Sequence, residues 1–267
     1  MIIDAHTHIF PDKIAEKSIK TLENIGNQRA VIGGREVDLL KAMAKNRVDK
    51  SVILPVLTKP EQFESINRFA LQVNKTPELI SFAGIHPHCE NINKCLDLIK
   101  EMGFKGIKLH PDYQHTEITD DGYIRIIDGC RRRGLIVTIH AGIDPASPEH
   151  IHCPPELSSQ VVRELTPKGS KPFIVLAHLG GADELEKVER LLVGLPVFLD
   201  TSFVLEKTDR TRMKELIKAH GYKKILFATD SPWRDLEEYI NIIMSLKLSE
   251  KETQSILGDN CAEMLDI

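Results

Sequence analysis

Apolar and polar positions along this chain follow two alternating rhythms. Short apolar, largely β-branched runs occupy residues 2–9, 50–56, 79–86, 104–110, 135–141, 173–178, 197–202 and 225–230. Most close on a small or polar residue, as a strand covered on both faces does. Between them, apolar residues recur at intervals of three and four, the period of a helix with one buried face. Clear cases are "REVDLLKAMAKN", "NKCLDLIKEMG", "GYIRIIDGCRRRG" and "TDRTRMKELIKAHG", and two short helices follow around "SEKETQSILGDNCAEML". Gly103, Gly134 and Gly221 stand where such helices stop.

Strands alternating with helices predict a parallel sheet, either open and doubly wound or closed. Eight runs favour closure, and no G-x-G-x-x-G follows the first run to argue for a dinucleotide fold. The expected fold is therefore α/β, a (β/α)8 TIM barrel, as a single domain over residues 1–267. Two connections are long. Residues 10–34 predict an extra helix and flap. The proline-rich residues 143–155, "IDPASPEHIHCPP", predict a lid that carries His150 and His152.

Composition narrows the function classes. The 267 residues carry a formal charge of −4, which argues against a protein that grips phosphate backbones. Five cysteines, an odd number without C-x-x-C, read as reduced thiols and predict a cytoplasmic protein. No apolar stretch approaches the roughly 18–20 residues that span a bilayer. The expected partner is a small-molecule substrate, without nucleic acid or membrane, and a homo-oligomer is compatible with the sequence.

The chemistry lies at the C-terminal ends of the runs. The first ends in His6 and His8, spaced by two so that both imidazoles share a strand face. The third ends in His86 and His88, the fourth in Lys108 and His110, the fifth in His140, the sixth in His178 and the eighth in Asp230. A barrel brings these ends around one mouth, where active sites of this fold lie. His6, His8, His140 and Asp230 suffice for a divalent ion. Zn²⁺ is the first choice, and Mn²⁺, Fe²⁺ and Ni²⁺ fit as well. Metal-bound water is the expected nucleophile, with Asp230 as its base. His178 is placed to polarise a carbonyl, to shuttle a proton or to bind a second metal.

D-x-H-x-H on the first run, one histidine after the fifth, one after the sixth, and T-D-x-P-W after the eighth resemble the amidohydrolase superfamily, most closely the branch called amidohydrolase family 2. The resemblance implies a metal-dependent hydrolase of an amide, ester or lactone; the alternative is a non-oxidative decarboxylase. Lys108 and Arg234 near the mouth point to a carboxylate-bearing substrate. The resemblance also implies that His6, His8, His140 and Asp230 are ligands, and that His178 is the catalytic histidine or holds a second metal. One ion is expected rather than two. "GIHPH" is similar to TatD-like nucleases, but those carry a bridging Glu on the fourth strand where this chain reads "GIKLHP". Lys108 is then either carboxylated or an anion-binding group, and His110 a further substrate or second-metal residue.

Overall fold

The apolar runs become short parallel strands in the computed structural model, which describes every residue except 146 and 168. The strands are β1 (Ile3–Thr7), β2 (Lys50–Ile53), β3 (Leu79–Ser81), β4 (Ala83–Gly84), β5 (Gly106–Leu109), β6 (Ile136–Ile139), β7 (Ile174–Leu176), β8 (Phe198–Asp200) and β9 (Ile225–Leu226). The helices are α1 (Asp12–Gly26), α2 (Glu36–Asn46), α3 (Phe63–Val73), α4 (Ile92–Glu101), α5 (Asp121–Arg133), α6 (Pro155–Leu165), α7 (Leu185–Leu191), α8 (Arg210–His220), α9 (Leu236–Ser245), α10 (Glu250–Gln254) and α11 (Asn260–Leu265).

β1, β2 and β3 pair in parallel in that order, as do β4 to β9. The third apolar run is one barrel strand interrupted at Phe82, whose N–H still donates to Ile53 O at 2.9 Å. The circle closes between its first and last strands: Ala5 N donates to Phe227 O at 2.9 Å, and Asp230 N to His6 O at 2.9 Å. The result is a (β/α)8 barrel, as the alternating periods predict.

Alternation along the strands sorts the side chains. Ile107, Leu109, Val137 and Ile139 pack into the apolar layer under the helices. Ile136, Val175, Phe198 and Leu226 form a second cluster with Ala262, Met264 and Leu265 of α11. That helix lies across the N-terminal ends of the strands, where Lys105 Nζ donates to Leu265 O at 2.7 Å and Lys171 Nζ to Glu263 O at 3.1 Å. The lower end of the barrel is thus plugged, and only the other end stays open.

The two expected terminal helices form one helical run with a π turn over Ser255–Asp259. The wider turn leaves Ile256 O to accept Phe227 N at 3.0 Å. A Cβ at Gly258 would lie 2.3 Å from Met1 O, so only glycine lets the turn approach the chain start this closely. The basic triplet Arg131, Arg132 and Arg133 closes α5 and pairs with Asp128 and Asp97. None of the described helices is long and apolar enough to cross a membrane.

His220 ends α8 and ties it to the preceding turn: Nε2 donates to Val197 O at 2.9 Å, and Nδ1 accepts Gly194 N at 3.2 Å. Burial, then Lys224, lower its pKa from 6.5 to about 4. An imidazole held neutral in the fold contributes stability that is complete above pH 6.5 and lost as pH falls toward 4. The contribution is up to about 3 kcal/mol. Urea midpoints at pH 7 and 5 are expected to show that His220→Gln is less stable at pH 7 and loses less on acidification than the parent. An equal loss in both proteins rejects this role.

Candidate active site

His6 lies within β1, Lys108 within β5 and Asp200 at the end of β8, while His8, His140, His178 and Asp230 follow β1, β6, β7 and β9. All but Asp200 line one cavity of about 60 Å³ at the open end of the barrel, together with His110, Asp144 and Phe203. The register of β1 against β2 shifts between Asp4 and Thr7, an inserted residue that bends the strand. Asp4 therefore does not simply continue the face of His6. It accepts Thr229 N and Oγ1 at 3.0 and 2.6 Å.

His6 Nε2 lies 3.1 Å from His8 Nε2, and Asp230 Oδ1 lies 3.3 Å and 3.1 Å from those two atoms. The acceptors on the far sides of the rings fix the protons. His8 Nδ1 is 2.8 Å from Leu54 O, a carbonyl that can only accept. His6 Nδ1 is 2.9 Å from Asp200 Oδ2. Both Nδ1 atoms carry hydrogen, so both Nε2 atoms present lone pairs to each other and to a carboxylate oxygen. Three electron-rich atoms at these distances repel unless a cation or proton sits among them. Burial, then Lys108, lower the His6 pKa to about 3, so His6 with Asp200 is a hydrogen bond between neutral imidazole and carboxylate. Burial pushes Asp230 upward, and it is held down at about 2 only where an N–H or positive charge of His8, His6 and His178 faces it, the same demand for a proton or cation among the three atoms.

His140 is not in this group. Its Nδ1 faces His178 Nε2 at 3.1 Å, and its Nε2 faces Asp112 Oδ2 at 3.6 Å and Asp144 Oδ2 at 3.7 Å. Its ring stacks on His110, centroids 4.1 Å apart, which in turn stacks on Tyr113. The expected four-donor cluster is thus divided by geometry: His6, His8 and Asp230 converge, and His110, His140 and Asp144 form a separate group. His140 Nε2 and Asp112 Oδ2 are both buried without a hydrogen-bond partner among the described residues, so the ring is placed by its Nδ1 contact with His178 and its stack on His110. His178 stands between the groups, with ring centroids 5.3 Å from His6 and 4.8 Å from His140. The Ser202 hydroxyl donates to Asp200 and therefore accepts His178 Nδ1 at 2.9 Å, which leaves His178 Nε2 bare.

Lys108 is fully buried, with Nζ 3.2 Å from His6 Nε2. Burial lowers its pKa to about 8, against the pull of Asp200, Asp230 and Asp144. Asp200 is the residue that sequence reasoning missed. Burial opposes its charge, yet His6 and Ser202 hold it well below the usual carboxylate range. One oxygen accepts His6 Nδ1, and the other accepts His178 N at 3.0 Å and Ser202 N at 3.1 Å. Its signal was the same as that of its neighbours, a polar residue closing the run "VFLDTS".

The expected lid histidines are elsewhere. His152 is held by Asp112, which accepts its backbone N at 3.1 Å and approaches its Nδ1 at 2.9 Å. His150 is exposed beside Glu117. Neither lines the cavity; from that loop Ile143, Asp144 and Pro145 do. His86 and His88 also lie outside the cavity, with His86 Nδ1 accepting His88 N. A chamber of about 520 Å³ lies above the cavity instead, with α1 on one side and α3 on the other.

The family model described as Amidohydrolase matches residues 3–267. No curated protein matches the sequence. Among solved structures, this chain is similar to 5-carboxyvanillate decarboxylase from Novosphingobium aromaticivorans, complexed with manganese and 4-hydroxy-3-methoxy-5-nitrobenzoic acid: TM-score 0.74, 12% identity, 100% of this chain and 96% of that one covered. It is similar to a dihydroxybenzoic acid decarboxylase from Polaromonas with bound manganese and 2-nitroresorcinol, at TM-score 0.71 and 14% identity over 99% and 96% of the two chains. A candidate 2-pyrone-4,6-dicarboxylic acid hydrolase from Pseudomonas putida gives TM-score 0.68 and 17% identity over 99% and 97%. At such identities the likeness is one of fold.

Proposed function

Because this chain belongs to the Amidohydrolase family, we propose that it is a metal-dependent enzyme in which His6, His8 and Asp230 hold one divalent cation and that it hydrolyses an amide, ester or lactone of a small molecule. The observation that carries the reading is the trio itself: two imidazole nitrogens without hydrogen and a carboxylate oxygen within 3.3 Å of one another, with Lys108 Nζ beside one of them at 3.2 Å. Nitrogen and oxygen donors suit Zn²⁺ and Mn²⁺ alike, and manganese is present in two of the structures that share this fold.

A cation there supplies a Lewis acid and lowers the pKa of water from 15.7 to about 7. The protein's own groups then handle protons and position. Asp230 stays ionised at neutral pH and is fit to accept a proton. His178, its Nδ1–H spent on Ser202, meets the cavity with a bare Nε2, which suits a base better than a donor to a carbonyl. His140 faces that same atom and can share the proton, with Asp112 and Asp144 beside its far nitrogen. Lys108 is the cation within reach of a developing negative charge.

Calorimetric titration of chelator-treated protein with Zn²⁺ and with Mn²⁺ is expected to show one tight site per chain, and loading is expected to restore turnover of an ester and lactone panel. Absence of stoichiometric uptake of either ion rejects the metal reading. The decarboxylase reading draws on the two manganese-bound decarboxylases that share this fold. Reaction in ¹⁸O-water separates the two: label enters the organic acid formed by hydrolysis, whereas a decarboxylase releases CO₂ and leaves an unlabelled organic product.

A further inference from the structure

We propose that the substrate carries its reacting group on a neutral, apolar body, and that this body occupies the chamber between α1, α3 and the barrel mouth. The inference rests on the site reading above and deepens it.

The chamber measures about 520 Å³, within the range of small-molecule sites. Ile14, Ser18 and Leu22 line it at intervals of four, one stripe of α1. Ile66 and Phe69 of α3 face them, and Trp233 stands near the metal-donor groups. His8, His110, Asp144 and Phe203 line both spaces, so a molecule in the chamber has direct access to the inner cavity.

Charge argues against a second ionic group on the substrate. Among the described residues the lining includes no lysine or arginine, and one carboxylate, Asp144, which sits at the inner end. Arg234, near the rim, is committed elsewhere: it pairs with Glu206, donates to Gln28 Oε1 at 3.0 Å and lies over the Phe203 ring at 4.1 Å. The amide oxygen of Gln62 already accepts Thr58 N and Lys59 N. A carboxylate placed among these walls would exchange its water for neutral donors such as Ser18 and Ser65, with no cation to offset the loss. The carboxylate-bearing substrate expected from Lys108 and Arg234 therefore has no seat outside the inner cavity.

Trp233 is the chain's single tryptophan and lines the chamber, so its fluorescence reads occupancy without turnover. The probes are N-butylacetamide, N-hexylacetamide and N-acetyl-6-aminohexanoate, which ends the same six-carbon chain in a carboxylate. In metal-free protein the hexyl amide is expected to bind about tenfold tighter than the butyl amide, from two more buried methylenes. The carboxylate probe is expected to bind at least about tenfold weaker than the hexyl amide. Ile14→Glu, at a position 49% exposed and so tolerant of charge, is expected to weaken the hexyl amide by a similar factor with unchanged circular dichroism. Equal affinities of the two amides, a carboxylate probe that binds as tightly, or an indifferent Ile14→Glu overturns the inference. Probe binding by a protein that takes up no metal removes only the metal reading, while a metal-loaded, active protein that ignores chain length removes only this one.

Discussion

Asp230→Asn is expected to yield a folded protein that retains no divalent cation after gel filtration and turns over at least about a thousandfold more slowly. Asp230 is the only anion in the converging trio, so it supplies the negative charge that makes two neutral imidazoles a site for a divalent ion. Asparagine is nearly the same shape but neutral, so the two imidazole lone pairs lose the partner that makes the site attractive to a cation. The backbone tolerates the change. Asp230 has φ of 67°, a left-handed conformation that asparagine adopts as readily as aspartate. Its N–H bond to His6 O is made by the main chain and survives. Metal content and turnover of the purified variant check the result. Parental activity in the variant would remove Asp230 from the site.

Asp200→Asn is expected to weaken cation binding by about 10–100-fold and to destabilise the fold by about 2–4 kcal/mol. The carboxylate accepts from His6 Nδ1, His178 N, Ser202 N and the Ser202 hydroxyl. An amide offers one oxygen where two are used. If its NH₂ meets His6, two donors oppose each other and the ring is driven to the tautomer with hydrogen on Nε2, which removes the metal lone pair. If its NH₂ meets the other side, the backbone donors of His178 and Ser202 are orphaned. Asp200 is a carboxylate of depressed pKa, so its stabilising contribution is present above the unfolded value near 3.9 and lost only as pH falls below that. The stability gap between parent and variant is therefore expected to stay constant from pH 8 to pH 5. A gap that closes within that window, or unaltered metal affinity, contradicts the role.

The barrel and the positions of most site residues were legible because both depend on period. Apolar runs and three–four spacing specify strands and helices, and closure then carries every strand end to one mouth. What could not be read depends on partners from distant loops. The His140 ring turns Nδ1 to His178, 38 residues later, and Nε2 toward Asp112, and no local pattern links it to either. His152 seemed a lid residue from its proline-rich setting, and it is Asp112, 40 residues earlier, that holds it away. Asp200 carried the same strand-end signal as its neighbours, but a lone aspartate without a spaced companion does not stand out. The helix in residues 10–34 was foreseen; that its inner stripe forms one side of a chamber was not, because the opposite wall comes from α3.

Closure of the barrel between its first and last strands also sets a clock on assembly. Asp4 and Thr229, which bond across the closing seam, are 225 residues apart. At a synthesis rate of roughly 5–20 residues per second, the segment between them takes roughly 10–45 s to emerge. Throughout that interval β1 has β2 to pair with, but its other edge is open and His6 and His8 have no Asp230. A nascent chain therefore cannot bring His6, His8 and Asp230 together before the last strand is made.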